Sequence, residues 1–138
     1  MTGNRSRGVT CLIDTDIVID FLRRREYALE LLKHWSNNGL IAVSTLTHLE
    51  IYQGMKINEE AVTNSFLDDM ISIAVDVQIA RQAGVMMRNL RSKGKTMSIG
   101  DAIIAATALD INVPLLTNNT QHYIYQGLKV IRGLDFIM

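Results

Sequence analysis

Short apolar runs alternate along this chain with longer stretches of helical periodicity, and that alternation restricts the fold more than any other feature. VTCLI (Val9–Ile13) reads as a buried strand, and DTDIVIDFLRRR then carries Ile17, Phe21 and Leu22 at helical spacing. YALELLKHW continues as a helix up to the stop signal Asn37-Asn38-Gly39. LIAV (40–43) is the second strand, followed by helices over 44–55 and 59–70, then ISIAV as a third strand. A long helix over 77–90 ends in the basic turn Arg91-Ser92-Lys93-Gly94-Lys95, and Ser98 opens another helix through 109. PLLT and LKVIRG are the last two strands. Strands separated by helices require right-handed crossovers and a parallel sheet covered on both faces. The expected fold is therefore α/β: a single three-layer α/β/α domain over 1–138, with a parallel sheet of about five short strands.

Composition narrows the function. The chain has 138 residues, 48% hydrophobic and 20% charged, so it buries a core without metal or disulfide support. Fourteen basic residues balance fourteen acidic ones, so any contact with nucleic acid must rest on local patches. Cys11 is the only cysteine, which excludes an internal disulfide and a cysteine-based zinc site, and fits a reducing cytosol. The start MTGNRSRG precedes an apolar stretch broken by Asp14, Asp16 and Asp20, and is neither a signal peptide nor a membrane span. The longest run without formal charge, 111–128, contains Pro114 and several asparagines and does not span a membrane.

The acids carry the functional information. Asp14 directly follows a buried strand, Glu50 sits between apolar residues in LTHLEIY, Asp101 opens DAIIAATAL, and Asn119 follows PLLT. In an open parallel sheet the carboxyl ends of the strands form one edge, where ligands bind. Chain direction puts Asp14 and Asn119 on that edge, with Glu50 and Asp101 on helices that start at it or descend from it. Each has a structural alternative: Asp14 as a helix cap, Glu50 and Asp101 as the acids of capping boxes, Asn119 as a turn former. Four caps need not converge, whereas this topology lets these four do so. Two unit charges about 4 Å apart repel by about 4 kcal/mol at an effective dielectric of roughly 20, so such a cluster binds a cation or takes up protons. Oxygen ligands with no sulfur and little histidine select Mg²⁺ or Mn²⁺, and phosphodiester hydrolysis is the natural chemistry.

These strings match a known pattern. LIDTDIVIDFLR, STLTHLEIYQGM, SIGDAIIAATAL and LLTNNTQHY occur in the order and at the separations of the PIN-domain motifs. The chain resembles that family, and within it the VapC-type toxins of toxin–antitoxin pairs, over nearly its whole length. The resemblance places the motif acids on Asp14, Glu50 and Asp101, with Thr15, Gly54 and Thr117 at the accompanying positions. The last position, held by Asp or Asn in the family, is Asn119. It implies a Mg²⁺- or Mn²⁺-dependent endoribonuclease acting in the cytoplasm on RNA, often tRNA or rRNA. A cognate antitoxin would restrain it, and a homodimer is the expected assembly. The expected metal ligands are Asp14 and Asp101. With Asn119 neutral, the expected site holds one cation tightly and takes a second only with RNA.

Asp16 lies at i+2 from Asp14, which a helix does not place on the same side, so it reads as a helix-start residue. His48 and His122 show no obvious partner and read as surface or structural side chains. Arg23, Arg24 and Arg25, and Arg88, Arg91, Lys93 and Lys95, read first as solvated faces and second as phosphate contacts. Two other functions compete. A signalling receiver domain would need its phosphate acceptor at Asp76, but no serviceable lysine follows PLLT. A non-cleaving PIN-like module that binds RNA or a partner is the alternative that Asn119 keeps open.

Overall fold

The computed structural model describes residues 8–137. The leading MTGNRSR, read above as part of neither a signal nor a span, lies outside the described residues. Five strands form one parallel sheet: β1 (Val9–Ile13), β2 (Leu40–Ser44), β3 (Ile71–Ile73), β4 (Leu115–Thr117) and β5 (Val130–Arg132), in the order β3-β2-β1-β4-β5. Six α-helices connect them: α1 (Thr15–Leu22), α2 (Glu26–Ser36), α3 (Thr45–Gly54), α4 (Glu60–Asp68), α5 (Val77–Ser92) and α6 (Ile99–Ile111). Short 3₁₀ turns occupy Ile57–Glu59, Thr120–His122 and Gly133–Ile137. The three-layer α/β/α architecture expected from the alternation is the one observed.

The two faces of the sheet follow the two-residue strand period. Leu12, Ala42 and Leu115 point into one core, with Ile79, Met86 and Leu90 of α5 and Ile104 and Ala105 of α6. Their neighbours Cys11, Ile13, Ile41, Val43 and Leu116 point into the other, against Ile17 and Val18 of α1, Leu31 of α2 and Leu67 of α4. Small residues let α6 lie flat on the sheet: Ala102, Ala105, Ala106 and Ala108 are fully buried. Burial pushes the Cys11 thiol up to about 12, so it behaves as a small buried hydrophobe. Among the described residues, no helix is long and apolar enough to cross a membrane.

The third strand is shorter than ISIAV. After Ile73 the chain leaves the sheet: the Val75 amide donates to Thr45 Oγ1 at 3.2 Å, and Asp76 caps α5 by accepting from the Ile79 amide at 2.9 Å. Asp76 is thus a helix cap, which removes the phosphate acceptor that a receiver domain would need.

The strand order reverses direction at β1. The chain steps from β1 outward to β3, then returns to the other side of β1 with β4. The crevice between the carboxyl ends of β1 and β4 is the switch point at which such sheets bind ligands.

Candidate active site

Asp14 lies at that crevice because β1 ends there and α1 begins. Its backbone is extended (φ −76°, ψ 162°), as a capping residue requires, and its Oδ1 accepts from the Thr15 amide at 2.8 Å. The structural reading of Asp14 is therefore correct, and it uses only one carboxyl oxygen. Oδ2 accepts from the Thr117 hydroxyl at 2.9 Å, across the crevice from β4, and from the Tyr123 hydroxyl at 2.9 Å. The residue is 6% exposed. Burial first, and the charge of Asp16 second, raise its pKa from the ordinary 3.8 to about 6, against the opposing effect of the three hydrogen bonds.

Asp101 stands in the first turn of α6, whose cap is Ser98: the Asp101 amide donates to Ser98 Oγ at 3.1 Å. Its carboxylate turns back toward Asp14. Oδ1 lies 3.1 Å from the Tyr123 hydroxyl, and Oδ2 lies 3.5 Å from His122 Nδ1. One phenolic oxygen therefore sits within hydrogen-bond distance of both Asp14 and Asp101. It has a single proton to give, so it serves one carboxylate at a time. Burial, then the charges of Asp14 and Asp101, raise the Tyr123 pKa far above its usual value and keep the proton in place.

Glu50 comes from α3. The helix is capped by Ser44, whose Oγ accepts from the Leu46 amide at 3.0 Å, so Glu50 is a mid-helix residue and not the acid of a capping box. Its Oε1 accepts from Thr15 Oγ1 at 2.7 Å, and Thr15 Oγ1 is also 3.1 Å from Thr47 Oγ1. Its Oε2 faces the start of α6, where a Cβ placed on Gly100 would lie 3.7 Å from it. Glu50 and Asp101 thus flank the same helix start. The groove beside Glu50, about 220 Å³, runs between α1, α3 and α4 and is lined by Ile19, Leu22, Ile51, Met55 and Arg23.

Asn119 is less closely tied. Its amide donates to Thr117 Oγ1 at 3.0 Å, and the Thr117 hydroxyl in turn meets Asp14. That link to the cluster runs through the Asn119 backbone.

Asp16 is the helix-start residue expected, in the first turn of α1, and it also reaches across the crevice. Its Oδ1 accepts from the Ile17 amide and its Oδ2 from the Asn118 amide, each at 2.8 Å, which ties α1 to the end of β4. The i+2 argument fails because Asp14 is an extended capping residue, not a helical one. Burial raises the Asp16 pKa, opposed by those two amides. Asn118 extends the tie: Nδ2 donates to the Tyr27 hydroxyl at 2.6 Å, Oδ1 accepts from the Leu134 amide at 2.8 Å, and the Tyr27 hydroxyl donates to Asp20. The two histidines also have partners. His48 Nε2 pairs with Ser72 Oγ at 2.8 Å beside β3, a structural contact, while His122 borders Asp101.

Sequence reasoning missed Tyr123 as the hydroxyl joining two acids. The adjoining string LLTNNTQHY contains it, but the contact spans 109 positions to Asp14 and only the fold reveals it.

The donor set suits a hard divalent cation: carboxylates and hydroxyls from four segments, all oxygen. Among the described residues, no Lys or Arg pairs with Asp14, Asp16 or Glu50. Nor do three acidic or imidazole groups close into a cage there. Mg²⁺ needs no cage, since it keeps several waters and takes one or two carboxylates. Asp14 and Asp101 are the two carboxylates that meet at one hydroxyl here.

Comparison with known proteins identifies the family. The PIN domain family matches residues 11–128. The chain is 37% identical over 113 residues to Ribonuclease VapC19 of Mycobacterium tuberculosis, covering 81% of this chain and 90% of that protein. It is 31% identical over 113 residues to Ribonuclease VapC1 of Methanocaldococcus jannaschii, covering 81% and 77%. Among solved structures, a toxin–antitoxin complex from Klebsiella pneumoniae superposes with a TM-score of 0.78 at 27% identity, over 90% of this chain and 98% of that one. VapBC2 from Rickettsia felis, bound to a promoter DNA fragment, gives a TM-score of 0.81 at 21% identity over the same shares, which concerns the fold alone.

Proposed function

The chain belongs to the PIN-domain family and, within it, to the VapC ribonucleases, and from that premise we propose that it is a divalent-metal-dependent endoribonuclease toxin restrained by a cognate antitoxin. The observation that carries the reading is the hydroxyl-bridged pair Asp14 and Asp101, with Glu50 beside it and no basic side chain paired to Asp14 or Glu50 among the described residues.

Asp14 and Asp101 would hold Mg²⁺ or Mn²⁺. When bound, the cation supplies positive charge to the scissile phosphate and acidifies water. The hydroxyls of Thr117 and Tyr123 and the Thr15 amide fix the Asp14 carboxylate, so little reorganisation is left for the moment of binding. Thr15 holds Oε1 of Glu50 and leaves Oε2 as the acceptor facing the start of α6. Glu50 orients the attacking water and takes its proton as the new P–O bond forms and the bond to the departing ribose oxygen breaks. Asn119 adds a neutral oxygen at the rim that tunes occupancy. The antitoxin would lay an extended segment along the mixed polar and apolar groove beside Glu50 and bring an arginine to the carboxylates, whose planar fork fits paired acids best. The working form would be a homodimer in the cytoplasm, with RNA as its substrate.

The test is cleavage of an end-labelled structured RNA in Mn²⁺. We expect metal-dependent endonucleolytic products, abolished by EDTA and by Asp14→Asn. Wild-type cleavage in EDTA, or by Asp14→Asn, contradicts the mechanism. Specific RNA binding without metal-dependent cleavage would instead favour the non-cleaving module.

A further inference from the structure

A second surface adjoins the acidic cluster and carries the opposite charge. From Val77 to Gly100 the chain contains five of its fourteen basic residues and none of its fourteen acids. The stretch forms α5 and the loop that follows it, so these cations are gathered at one side of the fold. Two adjoining grooves open there. One, about 280 Å³, is lined by His122, Gln121, Thr96 and Lys95; the next, about 430 Å³, is lined by Lys93, Lys95, Asn89, Tyr125 and Gln126. They share Leu90, Lys95 and Ile124, so they form one track. At its inner end His122 lies 3.5 Å from Asp101. No acidic residue lines either groove, and Lys93 and Lys95 pair with no carboxylate among the described residues.

On the nuclease reading above, we infer that this track holds the single-stranded RNA flanking the scissile phosphate. Lys93 and Lys95 neutralise backbone phosphates, and Tyr125, with the 67% exposed Ile124, receives a base. The charge argument decides the occupant. A polyanion that must bring one phosphate to a cluster of three carboxylates is repelled there, and its attraction has to come from neighbouring phosphates. Unpaired ammonium groups in a groove continuous with the cluster supply it, and an aromatic ring among them suits an unstacked base rather than a duplex. The Asn89 amide group, 3.4 Å from the Tyr125 hydroxyl, holds the ring in the groove wall.

The experiment is fluorescence anisotropy with a fluorescein-labelled single-stranded RNA of mixed sequence, in EDTA, across a salt series. Each single-strand phosphate contact contributes about 0.7 to the slope of log K against log salt, so Lys93→Ala/Lys95→Ala should lower that slope by about 1.4. Under Mn²⁺ the same variant should raise KM by about tenfold and leave kcat near wild type. Tyr125→Ala should weaken binding by about tenfold and Tyr125→Phe should retain it. Lys33→Ala/Lys56→Ala removes the same charge on the other side of the sheet and should change neither slope nor KM. Asp14→Asn should bind RNA and fail to cut it. An unchanged slope in the Lys93/Lys95 variant, an equal loss in the control, or equal competition by a perfect RNA duplex overturns the track. Cleavage by Asp14→Asn overturns the nuclease reading instead, whatever the slopes show.

Discussion

Two pairs of acids, one on α1 and one joining its cap to the start of α6, are held in different ways. Asp16 and Asp20 are satisfied by groups that fix them: backbone amides on Asp16, and Tyr27 with Arg25 at 3.8 Å on Asp20. Asp14 and Asp101 face each other across a single tyrosine hydroxyl, and the other side-chain partner of Asp14 is also a hydroxyl. Hydroxyls orient a carboxylate without cancelling its charge. Asp16 therefore uses both oxygens to fasten α1 to β4, while Asp14 and Asp101 meet at one shared hydroxyl, where the proposed cation would lie. Burial alone does not mark a functional acid, since Asp14 and Asp16 are both shifted upward by it. The donors that reach them from other segments separate them: hydroxyls of Thr117 and Tyr123 on Asp14, the Asn118 amide on Asp16.

The largest effect expected to sharpen this contrast is on cleavage. Asp14→Asn and Asp101→Asn keep side-chain size and remove charge, and each should lower the Mn²⁺-dependent rate by at least about 100-fold. Asp20→Asn should leave the rate within about twofold and cost about 1 kcal/mol of stability through its lost partners. Equal kinetic losses at Asp14 and Asp20 would break the comparison.

Next in size is the pH dependence of the metal-free protein. The Asp14 pKa of about 6 is raised above its unfolded value, so the folded state binds this proton more tightly. Its contribution is fully present below about pH 4 and is lost as pH rises through about 6. At about 1.4 kcal/mol per pKa unit it amounts to at most about 3 kcal/mol. Urea melts in EDTA should show stability falling across that window in wild type, and a flatter profile in Asp14→Asn.

The smallest expected effect is at Asn119. Asn119→Asp adds charge at the rim and should lower the Mn²⁺ concentration for half-maximal cleavage by a few-fold at most. An increase would place its side chain away from the cation.

Much of this was legible in the chain. The strand and helix order followed from short apolar runs and helical periodicity, and in the structure Ser44, Asp76 and Ser98 cap three of those helices. Asp14 was visible because it is one of four polar groups that the strand order lets converge at one sheet edge, which helix capping alone does not require. The β3 boundary was not, because Val75 is as apolar as its neighbours, and its amide turns to Thr45 Oγ1 instead of a neighbouring strand. Tyr123 and the second role of Asp16 were hidden for a different reason. Their contacts join segments about 100 residues apart, and local periodicity carries no information about which residues meet across a parallel sheet.

Calorimetric titration of Mn²⁺ into the metal-free protein near neutral pH tests the central claim most directly, because it reads the proposed cation site without any RNA. The account predicts binding in wild type, loss of that binding in Asp14→Asn and Asp101→Asn, and wild-type binding in Asp20→Asn. A raised melting temperature should appear only in the variants that bind, since a cation that binds the folded state alone at about 100 times its Kd adds about 2.7 kcal/mol. Equal Mn²⁺ affinity in wild type and Asp14→Asn, or loss of affinity in Asp20→Asn to the same degree, would contradict it.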